Sequence, residues 1–282
     1  MYEAYWKLKE KPFENTPDPR FIYYSKKHEE ALSRMLYVVK ERKGAAILTG
    51  EYGSGKTLLS RVLMKELSDE RYHSALIFNP RLPPLELIKE IIYQLGGKAS
   101  DLSSKTDLLH YLNEILYRNK DGNKITVIVV DEAQAIPEEN GFEELRLLLN
   151  FQLNDDFLLT LILLGQPELK ARIEGLPQLK QRLAVRYHLK ALTEDETREY
   201  IHHRLEVAGS KEDIFTEGAY SEIYRFSWGI PRRINNVCDM ALLVGCGAGI
   251  DKLNEELIRD VAEDMEEMPI DAEQNSKVIA NG

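Results

Sequence analysis

The chain has 282 residues, 43% apolar and 30% charged, a balance that excludes a fibrous or wholly disordered protein and leaves room for one large or two smaller globular domains. Its net charge of -10 argues against a nucleic-acid partner. However, ten acids and only three bases lie from Asp251 onward, and residues 1–250 are nearly balanced, so the main body retains scope for a basic face.

No apolar run approaches the roughly 20 residues of a bilayer span. The N-terminal MYEAYWKLKE has no apolar signal core. Cys238 and Cys246 lack metal-ligand spacing and read as buried structural thiols. Together these features fit the expectation of a reducing cytoplasm.

Pro12, Pro17 and Pro19 predict an extended wrap at the start, before a helix over Lys27 to Arg42. AAILT reads as a short buried strand and SALIFN as a second. Helices follow around PPLELIKEIIYQL and KTDLLHYLNEILYRN. KITVIVVDEAQ is a third strand, whose β-branched run predicts burial on both faces. A helix through FEELRLLLNFQ precedes a fourth strand, FLLTLILLGQ, and VRYHLKAL reads as a fifth. This alternation implies an α/β fold with a parallel sheet and helices on both faces. After Leu192 the strands stop. Thr193 and Glu196 form a capping box, and three more helices fit 216–228, 231–245 and 254–268. The expected domains are an N-terminal extension and helix packing on the core (1–44), an α/β core (45–191), a small helical lid (192–268) and a disordered tail (269–282).

LTGEYGSGKTLLSR carries a Gly-x4-Gly-Lys-Thr phosphate loop between a strand and a helix, where backbone N–H groups and the helix dipole face phosphates. Gly50, Gly53, Ser54, Gly55, Lys56, Thr57 and Leu58 are the candidate nucleotide-binding residues. Lys56 would reach the β- and γ-phosphates, and the Thr57 hydroxyl would bind Mg²⁺. Asp131 and Glu132 end the third strand, one carboxylate suited to the Mg²⁺ shell and the other to polarising an attacking water. Gln166 ends the fourth strand. It would either hold that water or the γ-phosphate, or bond to strand-end backbone.

The order of these motifs resembles the AAA+ ATPases. PFENTPDPRFIYYSKKHEEAL, VIVVDEAQ, LLGQPEL and GIPRRIN resemble more narrowly the ExeA/GspA-like ATPases of secretion and pilus assembly, and TniB- and MuB-type transposition ATPases are similar in the same core. The resemblance implies a P-loop AAA+ core with a helical C-terminal lid, ATP and Mg²⁺ as ligands, and ATP-dependent self-assembly into a ring or filament. It further implies that Arg182 is an arginine finger donated to a neighbouring subunit, with Arg186 as the fallback, and that Arg232 is the lid arginine reporting the γ-phosphate. His28 would lie in the segment against the adenine, with Tyr23 and Tyr24 stacking there or packing in the core. Secretion-type members often continue into a membrane span and a wall-binding domain, which are not expected here.

Two functions follow. One is an oligomeric assembly factor for a secretion or type IV pilus-like machine, with a protein partner. The alternative is an ATP-dependent regulator that polymerises on double-stranded DNA, for which six Lys/Arg against two Glu between Glu168 and Lys190 would supply phosphate contacts. No helix-turn-helix or zinc pattern accompanies that basic stretch. A third reading is a nucleotide-gated scaffold in which hydrolysis is a timer.

Overall fold

The computed structural model describes residues 1–153 and 156–267, so the expected tail at 269–282 lies outside them. The chain divides into two compact units. One comprises Pro17–Ala191, and the other Met1–Thr16 with the chain from Leu192 onward.

The first unit is built on five parallel strands among its described residues. These are β1 (Ala45–Gly50), β2 (Tyr72–Ile77), β3 (Ile125–Val130), β4 (Leu159–Gly165) and β5 (Leu183–Leu189), in the order β2-β3-β4-β1-β5. Helices α1 (Lys26–Lys40), α2 (Lys56–Glu66), α3 (Pro84–Gln94), α4 (Lys105–Asp121), α5 (Glu138–Leu148), α6 (Pro167–Glu174) and α7 (Pro177–Arg182) connect them. Alternate side chains of each strand leave opposite faces of the sheet. Ile47, Ile77, Ile128, Val130 and Leu163 pack toward α3–α7. Leu48, Val127, Val129, Ile162 and Leu164 pack toward α1 and α2. The central strands are therefore apolar throughout, as expected for a sheet covered on both sides.

Several boundaries shift from expectation. β2 starts earlier and stops at Ile77, leaving Phe78 half-exposed ahead of Asn79-Pro80, where a proline cannot continue the ladder. α5 begins just after Pro137, whose fixed φ suits a helix entrance. β5 begins at Leu183 because a register shift between Ala45 and Ala46 absorbs one residue, so that Leu183 joins the α3–α7 core while Leu189 joins the opposite one.

The second unit contains α8 (Glu194–Val207), α9 (Glu217–Ser227), α10 (Pro231–Ala248) and α11 (Glu255–Glu267). The capping box forms: Glu196 N donates to Thr193 Oγ1 at 3.2 Å, and Thr193 N donates to Glu196 Oε2 at 2.8 Å. Residues 1–16 fall in this helical unit, whereas the sequence reading groups 1–44 with the α/β core. The physical reason lies in their aromatic rings, which need apolar cover and an acceptor for each polar tip. Trp6 Nε1 donates to Leu242 O at 2.9 Å, Tyr5 OH donates to Ile250 O at 3.0 Å, and Tyr2 OH donates to Asp239. Phe13 is fully buried edge-on to Phe215. Cys238 is buried, and burial pushes its thiol well up; Cys246 is only half-buried, because it sits on the less enclosed side of α10.

Candidate nucleotide site

Because β4 lies between β1 and β3, the three polar strand ends converge. Thr49 of β1 pairs with Gly165 of β4, and Val130 of β3 pairs with Leu163. Gln166 is thereby set between the loop after β1 and the Asp131-Glu132 pair after β3. Ligands of parallel α/β sheets bind at this carboxyl end.

The loop after Gly50 turns through Gly53 and Gly55, whose φ values of 81° and 97° suit residues without a Cβ. Lys56, Thr57 and Leu58 then open α2. Lys56 is buried at 4% exposure and donates from Nζ to Gly50 O at 2.8 Å and Glu51 O at 2.9 Å. Burial lowers its pKa more than the nearby Glu132 and Asp131 charges raise it. Asp131 shows the mirror image, being 2% exposed and raised first by burial, with a Thr57 side-chain hydrogen bond pulling the other way. Ser60 Oγ reaches Asp131 Oδ2 at 3.5 Å. Each charged form is thus under-compensated in the protein alone. An anion at Lys56 and a cation at Thr57 and Asp131 would reverse both penalties.

Ser54 Oγ is buried without a hydrogen-bond partner, a cost of about 1–3 kcal/mol that a ligand oxygen would relieve. These donors fit a polyphosphate and a hard cation. Among the described residues no group of three or more His, Cys, Asp or Glu gathers as a metal cage.

His28 braces the loop from behind. Its Nε2 lies 3.3 Å from Ser54 O, and its Nδ1 lies 2.7 Å from Ser25 Oγ. A carbonyl only accepts, so Nε2 carries a hydrogen toward Ser54 O. Both ring nitrogens therefore face protein atoms. Tyr23 is half-buried and Tyr24 exposed, neither being fully enclosed in the core.

Glu132 adopts φ 51°, a left-handed conformation that costs a side-chain-bearing residue roughly 1 kcal/mol. Gln166 Nε2 donates to Glu132 Oε2 at 3.3 Å, so the strand-end polar residue and the acid are brought together. Gln134 donates to the same oxygen, and sequence reasoning passed over it along with Ser60 and Ser25.

Arg182 and Arg186 are not brought to this site within their own unit. Arg182 precedes β5 at the opposite end of the sheet, where it donates to Gln152 Oε1 at 3.1 Å and Asn150 Oδ1 at 3.3 Å. Seven strand residues, about 20 Å, separate it from the level of Gly50. Arg186 lies mid-strand and donates to Lys180 O at 2.7 Å. Arg232 is the second residue of α10, in the helical unit, followed by Arg233.

A family model described as an AAA domain matches residues 39–173. General secretion pathway protein A of Aeromonas hydrophila is 38% identical over 258 residues, covering 90% of this chain and 46% of that protein. Residues 39–173 thus carry an AAA domain. Among solved structures, Aeropyrum pernix ORC2 in its ADPNP-ADP complexes aligns with a TM-score of 0.60 at 21% identity, covering 83% of this chain and 66% of that one. Drosophila ORC bound to DNA aligns with a TM-score of 0.63 at 18% identity, covering 85% and 60%. Likeness at this identity establishes the shared fold alone. The chain spans less than half the length of the curated relatives it matches. None of its described helices is long and apolar enough to cross a membrane.

Proposed function

We propose that this protein is a Mg²⁺-dependent AAA+ ATPase that works as an oligomeric assembly factor for a secretion or type IV pilus-like machine. The observation that carries the chemistry is the geometry of the loop: a buried Lys56 Nζ on Gly50 O and Glu51 O, a buried Ser54 hydroxyl without a partner, and the buried Asp131 beside Ser60. The likeness to General secretion pathway protein A supports the cellular role.

Lys56 exchanges its bonds to Gly50 O and Glu51 O for phosphate oxygens, while the Ser54 hydroxyl and the loop N–H groups hold the rest of the chain of phosphates. Thr57 and Asp131 would hold the metal, which would supply positive charge to offset that of the phosphates. Glu132 takes a proton from a water positioned by Gln166. The water oxygen bonds to the γ-phosphorus, the bridging P–O bond to the β-phosphate breaks, and its electron pair leaves with ADP. Arg182, about a strand length from its own loop, acts on a neighbouring subunit. Arg232 couples nucleotide state to the helical unit, biasing its open and closed states. The protein acts in the cytoplasm, reaching the inner membrane through a partner.

The test combines turnover per subunit across a dilution series with sedimentation in a slowly hydrolysed ATP analogue, with and without duplex DNA, at low and moderate salt. Turnover that rises with concentration, together with discrete oligomers indifferent to DNA, is expected. A rate independent of concentration with no multimer overturns the assembly role. Assemblies that require DNA and dissolve as salt rises replace it with the DNA-polymerising reading.

A further inference from the structure

We propose that Gln134 is the positioning residue for Glu132, a role that rests on reading Glu132 as the base toward the attacking water. Gln134 lies in the short 3-10 turn Ala133–Ala135 that follows β3, two residues beyond Glu132. Its amide nitrogen donates to Glu132 Oε2. Its amide oxygen accepts from Gln166 N at 3.0 Å, while Gln166 Nε2 donates to the same Glu132 oxygen at 3.3 Å. Three residues on two strand ends thus close a ring of hydrogen bonds. Both side-chain amides grip Oε2, so Oε1 is the oxygen available to take a proton.

Two further features hold Gln134 itself. Arg172 on α6 donates to Gln134 O at 2.7 Å and Ile136 O at 2.6 Å, with its guanidinium 4.7 Å from the Phe142 ring centre. This holds the turn at its middle and just past its end. On β4, a Cβ at Gly165 would come within 2.6 Å of Gln134 Oε1, so the strand is glycine where the amide must approach. The strained φ of Glu132 is the local cost of aiming its carboxylate into this clamp.

The clamp has a consequence beyond packing: a base held by two amides samples fewer orientations, and a small misplacement of a catalytic group costs rate without costing binding. The variant Gln134→Met keeps the side-chain length and removes both hydrogen bonds. Its kcat is expected to fall roughly tenfold to a hundredfold with KM within about twofold, and Gln134→Asn should fall between it and the parent. Adding Gln134→Met to Glu132→Gln is expected to cost nothing further, because the group being positioned is already gone.

An unchanged kcat in Gln134→Met overturns the proposal. So does a further loss of the same factor on top of Glu132→Gln, which would mark a merely structural role. If Glu132→Gln itself leaves turnover intact, the ATPase reading of Glu132 fails instead. The clamp is then judged by NMR of the full chain with ¹⁵N-labelled glutamine. The Gln134 side-chain amide signals, assigned by their loss in Gln134→Met, must move in Glu132→Ala, and signals that stay in place overturn the positioning as well.

Discussion

Lys56 and Arg204 are both buried cations, 4% and 6% exposed, and the two units treat them in opposite ways. In the helical unit the Arg204 guanidinium is shared among protein acceptors: it donates to Pro12 O, to Glu14 O at 2.9 Å and to Tyr200 OH at 2.9 Å. Tyr200 OH in turn donates to Asn235 Oδ1 at 2.8 Å, and Asn235 reaches Asn15 at 3.1 Å. That network ties residues 12–15 to α8 and α10. Lys56 has two carbonyls and a lowered pKa, beside a Ser54 hydroxyl with no partner and an Asp131 pushed the other way. A buried charge completed by its own chain serves the fold, whereas one left incomplete marks where a ligand is expected.

The sharpest break of this contrast would come from Glu132→Gln. If the strand-end groups serve chemistry, turnover should fall about 10³-fold, roughly 4 kcal/mol in activation free energy, with nucleotide affinity nearly unchanged. Steady-state phosphate release and titration with a fluorescent nucleotide separate the two quantities.

Arg204→Ala tests the other side. It strands two backbone carbonyls and leaves the Tyr200 hydroxyl with Asn235 alone, and should cost about 3 kcal/mol in urea unfolding while residues 1–16 become sensitive to protease. A loss of nucleotide affinity of the same size, with no change in protease sensitivity, would erase the distinction between the regions.

Lys56→Ala should weaken nucleotide binding about 100-fold, some 2.7 kcal/mol, yet leave unfolding in the absence of nucleotide unchanged or slightly strengthened, because a desolvated charge has been removed.

The smallest effect concerns pH. Burial raises the Asp131 pKa, so without ligand its contribution to stability is greatest with the carboxyl protonated and is lost as pH rises through that raised value. Asp131→Asn should flatten this dependence and raise the neutral-pH Tm by about 1–2 °C, while weakening Mg²⁺-dependent nucleotide binding. A Tm that falls in Asp131→Asn would place Asp131 with Arg204, as a group the fold itself needs.

Much of the architecture was legible because it is written at short range. The β-branched run of β3, the Thr193–Glu196 capping box and the glycine spacing around Lys56 each report on neighbours within a few residues, where backbone sterics and single hydrogen bonds decide the outcome. The candidate site was legible for the same reason wherever a motif is contiguous, as at Gly50–Leu58 and Asp131-Glu132. Gln166 could be anticipated from its strand-end position, but its bond to Glu132 required β4 to lie beside β3.

What the sequence by itself determined is therefore the five strands, most of the helices though not α6 and α7, the candidate phosphate loop and the acidic strand end, all set by local periodicity and fixed spacing. Only the tertiary structure decided that residues 1–16 join α8 and α10, that Gln134 and Gln166 meet on one carboxylate oxygen, and that Arg182 stands a sheet length from its own loop. Those outcomes depend on strand order and on contacts between residues tens to hundreds of positions apart. Strand order is a property of how the elements pack, and no short segment encodes it.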